Sequence, residues 1–174
     1  MWYNINTRLP QLRAVGANRI KRNYIWEVIN MINLIIGKKG TGKTKRIIKL
    51  AQDALLQATG QVVFLDDDKR CMSELNYKIR FINTTEFALS TADDLYGFIA
   101  GMIAGNFDTQ KVFVDGLYSI TDLTDDTIEA FLAKLDTLCA KNDVDVYINV
   151  STVSDNLTEA SKKYIFEELT TPEA

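Results

Sequence analysis

The run Gly37-Lys38-Lys39-Gly40-Thr41-Gly42-Lys43-Thr44 fits the pattern G-x-x-x-x-G-K-[ST], and its fixed positions each answer a need of a bound triphosphate. Glycines at 37, 40 and 42 let the backbone turn tightly and bring its N–H groups against phosphate oxygens. Lys43 supplies a point charge to the β- and γ-phosphates, and the Thr44 hydroxyl is a ligand for Mg²⁺. A helix starting here would add its N-terminal dipole to the same anion. The whole loop, with Lys38, Lys39 and Thr41, is thus an expected nucleotide-binding segment.

Such a loop needs a strand before it and a helix after it. Met31-Ile32-Asn33-Leu34-Ile35-Ile36 is a short apolar run suited to a buried parallel strand. After Thr44, the residues Ile47, Ile48, Ala51, Ala54, Leu55 and Ala58 recur at helical spacing, and Gly60 offers a stop. Further along, apolar runs alternate with helical patterns. Val62–Leu65, Ile79–Ile82, Val112–Val114 and Val146–Val150 read as strands. Helices are expected around Leu95–Ile103 and Ile128–Leu138, and Leu157–Leu169 reads as a closing helix. The alternation predicts an α/β fold, a three-layer sandwich around a mainly parallel sheet of about five strands.

Residues 1–30 differ from the rest. They hold five of the 20 Lys and Arg, one of the 23 Asp and Glu, and both tryptophans, with no clear structural period. If Glu27 is encoded by GAG, the codons of Trp26-Glu27-Val28 contain a bacterial ribosome-binding sequence at a normal distance before the Met31 codon. The segment is therefore expected to be a translated leader with the true start at Met31; the alternative is a basic arm for nucleic acid or a partner. Residues 31–174 are expected to form one nucleotide-binding domain. With 15 basic and 22 acidic residues, their net charge of −7 argues against non-specific nucleic-acid binding.

No apolar run approaches the roughly twenty residues of a membrane span. The two cysteines, Cys71 and Cys139, have no pairing pattern and fit a reduced cytoplasm. The absence of histidine excludes His-based acid–base catalysis and His-ligated metals.

Ligands of open α/β sheets bind at the carboxyl ends of the strands, where three further polar groups stand. Lys111-Val112-Phe113-Val114-Asp115 reads as an apolar strand ending in an aspartate that holds Mg²⁺. Phe64-Leu65 runs into Asp66-Asp67-Asp68, and Ser151 and Thr152 end the last apolar strand. Over most of residues 31–155 these features resemble the P-loop NTPases, and within them the RecA-like branch. The resemblance implies that Asp68 occupies the position of a water-activating carboxylate, with Asp66 and Asp67 as alternatives, and that Ser151 senses the γ-phosphate. It also sets Lys38 where partitioning-type ATPases carry a signature lysine, but Lys39 replaces their glycine, so Lys38 reads as a solvated charge. The core is similar as well to short P-loop ATP-binding proteins of Gram-positive bacteria.

Three functions fit this reading. One is a small cytoplasmic Mg²⁺-dependent ATPase acting as a switch or motor subunit, with Lys43 and Asp68 catalytic and Thr44 and Asp115 on the metal. It would work with a protein partner or as a homo-oligomer, because residues 31–174 contain only Arg46, Arg70 and Arg80 as candidates for an arginine finger. The second is a small-molecule or nucleotide kinase, which would bring an arginine-rich lid that is absent here. The third is a non-hydrolysing ATP-dependent binding module, favoured by Gly116 standing where a base beside Asp115 is usual. No N-K-x-D motif for guanine occurs, so adenine is the expected base.

Overall fold

The computed structural model describes residues 31–170, so the expected leader or basic arm at 1–30 lies outside the described residues. The strands are β1 (Ile32–Gly37), β2 (Gln61–Asp66), β3 (Arg80–Asn83), β4 (Thr109–Val114), β5 (Asp145–Val150) and β6 (Ile165–Leu169). They form one sheet in the order β3-β2-β4-β5-β1-β6 with every pairing parallel. The helices are α1 (Lys43–Leu55), α2 (Ala92–Gly105), α3 (Leu117–Ile120), α4 (Ile128–Asn142) and α5 (Glu159–Lys162).

Both faces of the sheet are covered, which explains why its strands read as continuous apolar runs rather than alternating ones. On one face α1 buries Ile47, Ile48 and Ala51 against Ile35, Phe64 and Phe113. On the other, α2 and α4 bury Leu95, Ile99, Phe131, Leu132 and Leu135 against Leu34, Ile36, Val63, Val112 and Ile148. The expected three layers and mainly parallel sheet are present. Helix α2 begins at a full capping box, in which Thr91 accepts from the Asp94 N–H and Asp94 accepts from the Thr91 N–H.

The sheet has six strands rather than about five, because the expected closing helix over Leu157–Leu169 does not form. After a 3₁₀ turn at Ser154–Asn156, that stretch holds the single turn α5 and strand β6. Thr158 caps α5, accepting from the Ser161 N–H. The chain then extends beside β1, pairing Leu34 with Ile165 and Gly37 with Leu169. Without β6 the largely apolar β1 would be an open edge, and covering that edge outweighs the local helical period.

On the α1 face a row of aromatic rings crosses the sheet. Phe81, Phe64, Phe113 and Tyr147 come from β3, β2, β4 and β5, with neighbouring centroids 6.4, 6.4 and 5.0 Å apart. Two residues further along β2, β4 and β5, on the same face, stand Asp66, Asp115 and Asn149. The aromatic row is the floor on which those polar groups rest. Phe113 is fully buried at its centre. Truncation to alanine is expected to cost about 3–5 kcal/mol, read as a shift in the urea unfolding midpoint.

Candidate functional site

Strand β1 delivers the chain to the carboxyl edge of the sheet, and α1 starts seven residues after β1's Ile36, at Lys43. The intervening loop needs glycine at defined points. Gly37 lies at φ 152°, and a Cβ there would sit 2.5 Å from the Leu169 carbonyl oxygen, so the close approach of β6 leaves no room for a side chain. Gly42, at φ 87°, is the residue from which α1 departs, and Gly40 is also left-handed at φ 88°. The segment just past β5 fixes the loop's base, since the Gly37 N–H donates to the Thr152 carbonyl at 2.8 Å.

The Lys43 side chain folds back over the loop. Its Nζ donates to the carbonyls of Gly37 at 2.7 Å and Lys38 at 2.9 Å, and the Lys38 carbonyl also accepts from the Thr41 hydroxyl at 2.9 Å. Lys43 is only 8% exposed. Burial pulls its pKa down, and the charge of Asp115 acts in the opposite direction. The ammonium and the Asp115 carboxylate therefore share one electrostatic site, at the edge where β5 lies between β1 and β4. Lys38, Lys39, Gly40 and Thr44 are exposed at its rim.

Asp115 is buried just past β4. One of its oxygens accepts from the Asn149 amide at 2.7 Å, a bond made across the β4–β5 pair. The Asn149 carbonyl oxygen is buried with no hydrogen-bond partner among the described residues. That side-chain oxygen is an acceptor free to take a donor. The second oxygen of Asp115, the neighbouring Asn149 oxygen and the exposed Thr44 hydroxyl are hard oxygen donors, the chemistry that suits Mg²⁺ or its coordinated water. Ser151, two residues past Asn149, is exposed at the end of β5.

The three carboxylates Asp66, Asp67 and Asp68 at the end of β2 lie within 4.8 Å of one another but face different surroundings. Asp66 is the last residue of β2 and is buried. Its oxygens accept from the Asp67 N–H at 2.8 Å and the Cys71 thiol at 2.9 Å. Burial is the main cause that raises its pKa to about 6, and the nearby charge of Asp115 adds to it. Asp68 lies in the turn that leaves the sheet. It is held by Arg70, which donates its backbone N–H at 2.7 Å and its guanidinium to the two carboxylate oxygens. Those hydrogen bonds hold the Asp68 carboxyl below its usual range. The carboxylate beside Asp115 with retained basicity is therefore Asp66, while Asp68, the residue expected from the sequence, is the one clamped by a cation.

Asn149 and Cys71 were not among the residues that the sequence singled out. An amide within the otherwise apolar run Val146–Val150 is a signal for the first. The thiol–carboxylate bond of the second has no sequence signal, because it depends on how the turn after β2 folds back.

No protein-family model matches the chain, and no curated protein matches it. Among solved structures it is similar to that of C. elegans PCH-2, with 17% sequence identity, a TM-score of 0.51, and coverage of 96% of this chain and 43% of that one. The chain thus spans less than half of that protein. At this identity the likeness is one of fold, an α/β architecture with helices on both faces of a parallel sheet. Among the described residues no helix is long and apolar enough to cross a membrane.

The raised pKa of Asp66 sets a sign for stability. Its folded pKa, about 6, lies above the usual unfolded value of about 4, so the native state binds the extra proton. Stability from this group is full below pH 4 and falls as pH rises through 6. Asp66→Asn is therefore expected to leave unfolding free energy little changed at pH 4 and to raise it by on the order of 1–2 kcal/mol at pH 7.5, as measured by urea titration at the two pH values.

Proposed function

We propose that this protein is a Mg²⁺-dependent ATPase in which Lys43 holds the β- and γ-phosphates, Thr44 and Asp115 hold the metal, and Asp66 activates the attacking water. The observation that carries this reading is the sharing of one sheet edge by a glycine loop, a buried lysine and two buried carboxylates. Phosphate oxygens would take the place of the Gly37 and Lys38 carbonyls as acceptors for the Lys43 ammonium. That exchange trades neutral acceptors for charged ones, which form the stronger bonds. Lys43 would then stabilise the charge that develops on the transferred phosphoryl group. Mg²⁺ bound with the nucleotide would neutralise phosphate charge.

Asp66 is preferred to Asp68 as the base on chemical grounds. A general base works best when its pKa lies near the operating pH, and burial brings Asp66 towards that condition while Arg70 takes Asp68 away from it. Ser151 remains a candidate for contact with the γ-phosphate, since it stands at the end of the strand between β1 and β4.

The kinase reading is disfavoured by the arrangement of the arginines. Arg46 is tied to Glu167 at 2.6 Å, Arg70 to Asp68, and Arg80 lies exposed on the edge strand β3. These three, the arginines of the described residues, do not converge on an acceptor phosphate. A stabilising arginine would come instead from a second copy or another partner.

Phosphate release from Mg·ATP by the full chain tests the assignment. Release is expected to vanish in Lys43→Ala, to fall about 10²–10⁴-fold in Asp66→Asn, and to stay within a few-fold in Asp68→Asn. Loss of activity in Asp68→Asn with Asp66→Asn intact would return the base to Asp68. Phosphate found on an added metabolite would make the protein a kinase. ATP binding without turnover in the wild type would make it a binding module.

A further inference from the structure

The sequence shows no pairing pattern for Cys71, yet its thiol is directed at the carboxylate assigned above as the base. The thiol donates to an Asp66 oxygen at 2.9 Å, and the bond is buried, with Cys71 only 3% exposed. The other Asp66 oxygen accepts from the Asp67 N–H, and the Asp66 main-chain carbonyl accepts from the Thr84 hydroxyl at 3.0 Å. Asp66 is thus fixed at both carboxylate oxygens and at its backbone. Cys71 itself belongs to the apolar cluster under α1, with Ile79, Phe64 and Phe113, so its side chain has little freedom to turn away.

The choice of donor matters chemically. A carboxylate can be oriented by a cation or by a neutral group, and the two have opposite consequences for its basicity. Arg70 orients Asp68 and draws its pKa down. A thiol is a weak, neutral donor that can fix the rotamer of a carboxylate while leaving it able to accept a proton. Burial and the charge of Asp66 push the Cys71 thiol pKa far up, so the sulfur stays protonated and serves as a donor, not as a nucleophile.

We propose that Cys71 is a positioning residue, whose S–H holds the Asp66 carboxylate in the orientation that water activation requires. The proposal rests on the ATPase reading for its catalytic consequence, and on the hydrogen bond alone for its effect on Asp66.

The test compares Cys71→Ser, Cys71→Ala and Cys71→Val in the full chain. Serine keeps a donor, alanine removes it, and valine removes it while filling the space. In phosphate release, alanine and valine are expected to lower kcat about tenfold with KM for ATP within about twofold, and to move the acid limb of the pH profile upward by about half a unit. Serine is expected to restore both. In the nucleotide-free protein, the ¹³C titration of the Asp66 carboxyl is expected to move up in alanine and valine and to match wild type in serine. Identical Asp66 titration in all three variants, or serine behaving as alanine does, would overturn the proposal. The carboxyl titration needs no turnover. Absence of phosphate release from the wild type would therefore sink the ATPase reading alone, and an unmoved Asp66 titration would sink the role of Cys71 alone.

Discussion

Two carboxylates and one ammonium are buried at the same edge of a parallel sheet, and the surrounding structure is arranged to make that tolerable. Removing such charges from water costs several kcal/mol each unless they meet opposite charge and hydrogen bonds. Lys43 has the field of Asp115 and two loop carbonyls, Asp115 has the Asn149 amide, and Asp66 has a backbone N–H and a thiol. The set is balanced incompletely. Asp66 is left with a raised pKa, and the Asn149 oxygen is left without a partner among the described residues. Residual cost of this kind is expected where a site awaits a ligand that supplies the missing charge and donors.

The fold delivers this arrangement through strand order and register. Because β5 lies between β1 and β4, an amide on β5 can reach Asp115 while β5's end anchors the start of the loop. Register then aligns Asp66, Asp115 and Asn149 on the α1 face, each two residues beyond an aromatic ring of the floor. Stacked rings keep water away from the underside of the polar row, so its electrostatic interactions are stronger than they would be at an open surface. The edge strand β6 closes the arrangement from the other side. Leu169 packs against Gly37, and Glu167 holds Arg46 of α1, so both ends of the loop are tied to the last strand.

The parts most legible in the sequence were those carried by neighbouring residues. The loop is eight consecutive positions, and each fixed position has a local chemical reason. Strands β1, β2, β4 and β5 were readable because burial on both faces leaves largely apolar runs, interrupted only by Asn33 in β1 and Asn149 in β5 between their first and last apolar residues. Strand β6 was not. Leu157, Ala160, Tyr164 and Ile165 fit a helical period, and the demand that overrides it, the open edge of β1, comes from a segment more than a hundred residues away. The distinction between Asp66 and Asp68 was hidden for a related reason. Three successive acids give no sign of where the strand ends, and the chain leaves the sheet after Asp66, which turns Asp68 towards Arg70. Cys71 gains its significance from that same turn.

Every role proposed for the site requires that a nucleotide seat itself on the loop. The most direct measurement is a titration of the full chain with Mg·ATP, followed through the backbone amide resonances of Gly40, Gly42, Lys43 and Thr44. Saturable shifts concentrated at those amides and at Asp115 and Asn149, and absent in Lys43→Ala, are the expected result. Amides that do not move, or that move elsewhere while the loop stays still, would contradict it.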